Sequence, residues 1–125
     1  MQNPQHFVVD LYNCSKITLN NSEDVKRYLR AVVNYLGLTS VGKPITHQFE
    51  GEHPDDNGIT GSLILTTSLI SIHTYPRERA CYIDLFACSN YDSGNFYDFS
   101  RRWFASNKGH LNRVVRMNYK TKPLE

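Results

Sequence analysis

The stretch SLISIHTYPRERACYIDLFAC, residues 68–88, decides the fold. Two β-branched and aromatic runs, Leu69 to Tyr75 and Ala80 to Cys88, flank Pro76-Arg77-Glu78-Arg79, a polar break opened by proline, which reads as an antiparallel hairpin. With the turn centred on Arg77 and Glu78, facing positions sum to about 155, and Cys88 falls opposite Thr67 and Ser68. Gly61 to Leu65 supplies a strand before this pair. A turn near Thr66 and Thr67 gives sums of about 133, which sets Thr60 opposite His73. The three strands form a meander.

Outward from the meander, Phe7, Val9 and Leu11 alternate within Phe7 to Tyr12, a first strand. Asn21 or Ser22 offers a helix cap, and Glu23 and Asp24 complement the helix dipole. Val25, Tyr28, Leu29, Val32, Val33 and Leu36 then recur at helical spacing up to Gly37, predicting a helix over 22–36. A short extended piece at Ile45 to Phe49 leads into an exposed loop over 50–58. Phe96, Phe99, Trp103 and Phe104 mark a second helix, and Leu111 to Tyr119 alternates as a last strand. The order β-α-β-β-β-β-α-β predicts one α+β domain over 1–125, an antiparallel sheet with two helices on one face. The bare face needs covering, so a homodimer that stacks two sheets as α/β/β/α is expected.

Composition narrows the function classes. With 125 residues, 40% hydrophobic and 21% charged, the chain has the balance of a globular domain. No apolar run approaches the roughly eighteen residues of a membrane span, and Met1 to His6 is polar, so no membrane role and a cytoplasmic location are expected. Cys14, Cys81 and Cys88 read as free thiols. His47, His53, His73 and Cys88 lack any short ligand spacing, so no metal is expected, and His6, His47 and His53 read as exposed or loop histidines. Residues 1–99 hold seven Lys/Arg against eleven Asp/Glu, while 100–125 hold seven against Glu125 alone. Those cations alternate with apolar residues, which argues for a solvated face and against nucleic acid.

Reactive side chains concentrate in the meander. Taken singly, Ser68 reads as a turn former, His73 as a satisfied polar residue and Cys88 as a small buried thiol. Together the pairing brings Ser68 beside Cys88 and His73 opposite Thr60. Ser68 and His73 lie an odd number of residues apart, so a straight strand sends them to opposite faces, and one shared site requires 66–69 to bend back. No Gly-x-Ser-x-Gly elbow is present.

Five blocks carry a resemblance: His6-Phe7-Val8-Val9-Asp10-Leu11-Tyr12-Asn13-Cys14, His47-Gln48-Phe49, Gly58-Ile59-Thr60-Gly61, Ser68 to Pro76, and Asp84-Leu85-Phe86-Ala87-Cys88. In this order they resemble the prokaryotic S-adenosylmethionine decarboxylase proenzymes, almost end to end. The resemblance implies self-cleavage between Thr67 and Ser68, in which Ser68 attacks the Thr67 carbonyl and the downstream chain keeps an N-terminal pyruvoyl group. That ketone condenses with the substrate amine and accepts the electrons left when carbon dioxide departs. The resemblance further implies that His73 and Thr60 assist processing, that Cys88 returns the proton, and that Phe49 stacks on adenine. Two positions depart from the family. Thr67 stands where the family has Glu or Lys, and Arg77 where a Glu bonds the ribose. Arg only donates, so Glu78 is expected to take over the ribose, through a one-residue shift or bulge in the turn over 76–79. The loop after Phe49 is also several residues longer. Two other readings stay open: a pyruvoyl decarboxylase of ornithine or arginine, suggested by Arg77, and an unprocessed ligand-binding or regulatory homologue, suggested by Thr67.

Overall fold

A computed structural model describes residues 4–53 and 56–116. Its elements run β1 (Gln5–Tyr12), α1 (Lys16–Leu19), α2 (Ser22–Tyr35), β2 (Ser40–Phe49), β3 (Gly58–Leu65), β4 (Ser68–Tyr75), β5 (Ala80–Ala87), α3 (Ser93–Trp103) and β6 (Lys108–Arg113). The strands join one antiparallel sheet in the order β2-β3-β4-β5-β1-β6. This is the expected α+β class.

The register of the meander is the one that the turns dictate. Pairs from Leu69↔Phe86 to Tyr75↔Ala80 sum to 155, and pairs from Thr60↔His73 to Leu65↔Ser68 sum to 133. Alternation then sorts the side chains. Ile59, Leu63, Leu65, Ile70, Ile72, Ile83 and Leu85 enter one core with the α2 stripe Val25, Tyr28, Leu29, Val32 and Val33. Ile64, Leu69, Tyr75 and Tyr82 stay exposed on the other face.

Caps and buried hydroxyls lock the helices. Asn21 Oδ1 accepts the Asp24 N–H at 3.0 Å, and Asp92 Oδ1 accepts that of Asn95 at 2.8 Å, each satisfying a free donor of the first turn. Where α2 meets α3, the Tyr28 hydroxyl donates to Ser100 Oγ at 2.5 Å while Ser100 donates to the Phe96 carbonyl at 2.7 Å. Burial holds Tyr28 far above the usual tyrosine range, so it is a neutral donor there.

Three expectations about elements are corrected. The short helix at Lys16–Leu19 was not anticipated; Ser15 caps it by accepting the Thr18 N–H. The extended piece at 45–49 is the end of a ten-residue strand, whose period breaks between Val41 and Ile45, where Gly42 has φ +76°. The last strand starts at Lys108 and ends at Arg113; residues 114–116 are outside it, and 117–119 lie outside the described residues. The Ser106 hydroxyl sets this early start by donating to the Tyr12 carbonyl at 2.6 Å while accepting the Lys108 N–H at 3.3 Å.

Thr74 is fully buried, and its hydroxyl donates to the Leu19 carbonyl at 2.9 Å while accepting the Ile59 N–H at 3.0 Å. One side chain thus ties β4 to β3 and to the end of α1. Thr74→Val keeps the shape and strands both buried backbone groups, so chemical denaturation should show a loss of about 1–3 kcal/mol.

Candidate active site

Two clusters stand at opposite ends of β4. At its start, Leu65 and Ser68 pair across the two-residue loop Thr66-Thr67, which is tied down by the Thr66 N–H donating to the Thr39 carbonyl at 3.1 Å. The Thr67 and Ser68 hydroxyls are 3.1 Å apart. One further step of the β4–β5 register sets Ala87 across from Ser68, and a second sets Cys88 across from Thr67. Cys88 is the partly accessible thiol of the three. Cys14 and Cys81 are buried in the core, and their mutual hydrogen bond together with burial pushes the Cys81 thiol up.

At the other end, Thr60 Oγ1 lies 3.1 Å from Nδ1 of His73, its direct cross-strand neighbour. Tyr82 faces His73 from β5. Farther out, Phe49 closes β2 against Gly58. A Cβ on residue 58 would sit 2.2 Å from the Thr74 carbonyl oxygen and 2.3 Å from Phe49 Cζ. Only glycine leaves room for the ring, which meets Tyr75 at 5.9 Å between centroids and 57° between planes.

These rings form one wall of a pocket of about 210 Å³ lined by Phe49, Asp56, Asn57, Tyr75, Arg77 and Glu78. Arg77 Nη1 donates to Asp56 Oδ1 at 2.7 Å, and this bond holds the Asp56 carboxyl below the usual carboxylate range. The turn over 76–79 contains neither a bulge nor a register shift: Tyr75 pairs with Ala80, the Arg79 N–H donates to the Pro76 carbonyl at 3.0 Å, and Arg79 takes φ 53°. Arg77 and Glu78 both reach the pocket from a regular turn, so that expectation is corrected.

The sequence reading foresaw Phe49, Arg77 and Glu78 and missed Asp56, Asn57 and Tyr75. Residues 50–58 were read as solvent-exposed loop, and the sole signal was an unusually long acidic loop in front of a glycine. His6 is also corrected: it is half-buried, with Nε2 2.7 Å from Asp84 Oδ1.

Ser68 and His73 do not meet within one chain. The 66–69 stretch is a regular hairpin rather than a bend, and five residues at strand rise separate the two by about 17 Å. Gly58→Ala should crowd Phe49 and the Thr74 carbonyl and lower the unfolding free energy by about 1–3 kcal/mol, the usual range for overpacking. An unchanged denaturation midpoint would mean that the ring does not lie across residue 58.

Comparisons with known proteins agree on one family. The sequence model for S-adenosylmethionine decarboxylase matches residues 5–117. An S-adenosylmethionine decarboxylase proenzyme from Clostridium botulinum strain Loch Maree is 31% identical over 112 residues, 89% of this chain and 91% of that protein. A proenzyme of the same name from Methanococcus aeolicus is 32% identical over 87 residues, 70% of this chain and 69% of its own length. Among solved structures, the adenosylmethionine decarboxylase from Aquifex aeolicus vf5 superposes with a TM-score of 0.74 at 24% identity, covering 90% of this chain and 89% of that one, which is a likeness of fold. The chain belongs to the S-adenosylmethionine decarboxylase family.

Proposed function

We propose that this chain is a self-processing, pyruvoyl-dependent S-adenosylmethionine decarboxylase that works as a homodimer and supplies decarboxylated S-adenosylmethionine for spermidine synthesis. The carrying observation is that Ser68, with Cys88 beyond the facing end of β5, stands at the start of β4, while His73 and the Phe49-lined pocket stand toward its other end. A two-fold axis that crosses β4 near its middle exchanges these ends. It brings Ser68 and Cys88 of one protomer toward Thr60, His73 and the Phe49 pocket of its partner. Exposed Ile64, Leu69, Tyr75 and Tyr82 give the bare sheet face a reason to pair. The pocket is also smaller than the roughly 300–1,000 Å³ typical of small-molecule sites, as half a site should be.

Processing follows from the chemistry of these groups. The Ser68 hydroxyl attacks the Thr67 carbonyl carbon, the Thr67–Ser68 C–N bond breaks, and an ester joins the two halves. His73, with Nδ1 engaged by Thr60, presents Nε2 as the base that removes the Ser68 Hα. The Thr67 carboxylate then leaves, and water releases ammonia from the remaining dehydroalanine. Residue 68 suits a pyruvoyl group, because it opens a strand directly after a two-residue loop and becomes a free end when that loop is cut. When present, the group supplies an electron sink for the carbon that loses carbon dioxide. Cys88, one residue off in register, holds at Sγ the proton that this carbon takes up. Phe49 and Tyr75 offer apolar surface to adenine, and Glu78 accepts from the ribose. Among the described lining residues, Asp56, Glu78 and Arg77 leave one negative charge in excess, which suits a sulfonium cation.

Release of carbon dioxide from labelled S-adenosylmethionine, ornithine and arginine tests the substrate. S-adenosylmethionine should be strongly preferred, and a preference for either basic amino acid would overturn the reading. Cys88→Ala should cleave itself normally and turn over at least a hundredfold more slowly, the usual range for losing a general acid. His73→Ala should fail to cleave. Neither Ser68→Ala nor His73→Ala should cleave alone, whereas co-expression should give mixed dimers in which the His73→Ala chain is cut. No cutting in mixed dimers would contradict a site shared between protomers.

A further inference from the structure

The long loop after Phe49 delivers a carboxylate to the pocket. We propose that Asp56, positioned by Arg77, accepts a hydrogen bond from a ribose hydroxyl of the substrate and selects nucleosides over acyclic amines. The proposal rests on the decarboxylase reading above.

The loop is shaped to put Asp56 there. Its N–H donates to the His53 carbonyl at 2.9 Å, which turns the chain just before β3. A Cβ on residue 51 would sit 2.2 Å from Asp56 Cβ, so Gly51 lets the two arms of the loop close on each other. The closure sets Asp56 against the turn over 76–79, where Arg77 takes Oδ1 at 2.7 Å. That bond engages Oδ1, and a carboxylate has further acceptor capacity for a ligand. The hydrogen bond from the Arg77 guanidinium lowers the Asp56 carboxyl below its ordinary value and so favours the charged form.

Ligand chemistry supplies the other half of the inference. A ribose presents two adjacent hydroxyl donors, and a guanidinium has no acceptor to offer them. Among the described residues, Asp56 and Glu78 are the two carboxylates that line the pocket, together with Arg77. The pair matches a vicinal diol, next to a Phe49 and Tyr75 wall that matches the base. Ornithine and arginine carry no hydroxyl for Asp56 and no ring for that wall. Arg77 acts through Asp56 and is a positioning residue.

Calorimetric titration of the full-length Ser68→Ala protein reads affinity without turnover. The ligands are S-adenosylmethionine and its 2′,3′-dideoxyribosyl counterpart. Asp56→Asn should weaken S-adenosylmethionine about tenfold, equivalent to about 1.4 kcal/mol, and leave the dideoxy ligand within about twofold. Arg77→Ala should weaken the same ligand selectively and by less. In the processed enzyme, Asp56→Asn should raise KM about tenfold with kcat within about twofold. Equal weakening of both ligands would reduce Asp56 to a general attraction for the sulfonium, and no weakening of either would remove it from the site; each overturns the proposal. Failure of the decarboxylase reading looks different: Ser68→Ala binds neither ligand and the parent protein releases no carbon dioxide from S-adenosylmethionine, which removes the ribose assignment too.

Discussion

Everything in the site hangs on the register of β4. The two-residue loop Thr66-Thr67 and the four-residue loop Pro76–Arg79 fix it from either end, and neither leaves a residue of slack. A slip by one would turn Ile70, Ile72 and Thr74 out of the core and drive Leu69, His73 and Tyr75 into it. Because the burial of Ile70 and Ile72 forbids that slip, the same hydrophobic alternation that builds the core holds His73 opposite Thr60. Thr74 adds a directional lock, since its hydroxyl is satisfied in this register by both Ile59 and Leu19.

The register that unites His73 with Thr60 also separates His73 from Ser68. The odd offset sends the two to opposite faces, and strand rise holds them far apart along the sheet. In the proposed enzyme, a single chain with this geometry would carry two halves of a reaction centre. In the proposed homodimer a second copy would cover the sheet face that the helices leave bare, on which His73 lies, and would bring up its own Ser68 end. In that proposal, dimerisation and catalysis would be two consequences of one alternation pattern.

Local chemistry made much of this legible in the sequence. Both turn centres were readable from Thr66-Thr67 and Pro76–Arg79, and the pairing Thr60↔His73 and the sum of 155 across β4 and β5 followed by arithmetic. The helix over Ser22–Tyr35 was legible from its cap and stripe. Elements governed by distant partners were not. The full length of β2 was masked by the irregularity at Gly42, and the early start of β6 depends on the Ser106 hydroxyl reaching Tyr12. Asp56 escaped notice for the same reason, because an acidic residue in a polar loop looks solvated until Arg77, 21 positions on, is seen to hold it. The Asp84 partner of His6 was likewise hidden, since it lies 78 positions away in sequence and one strand away in space.

Whether Ser68 turns the chain into its own cofactor is decided by the intact mass of the purified wild-type protein. Self-processing gives two fragments, 1–67 and 68–125, of which the second is lighter by one ammonia than a chain that begins with serine. Lasting recovery of the uncut chain, or a second fragment that retains the full mass of an N-terminal serine, would contradict it.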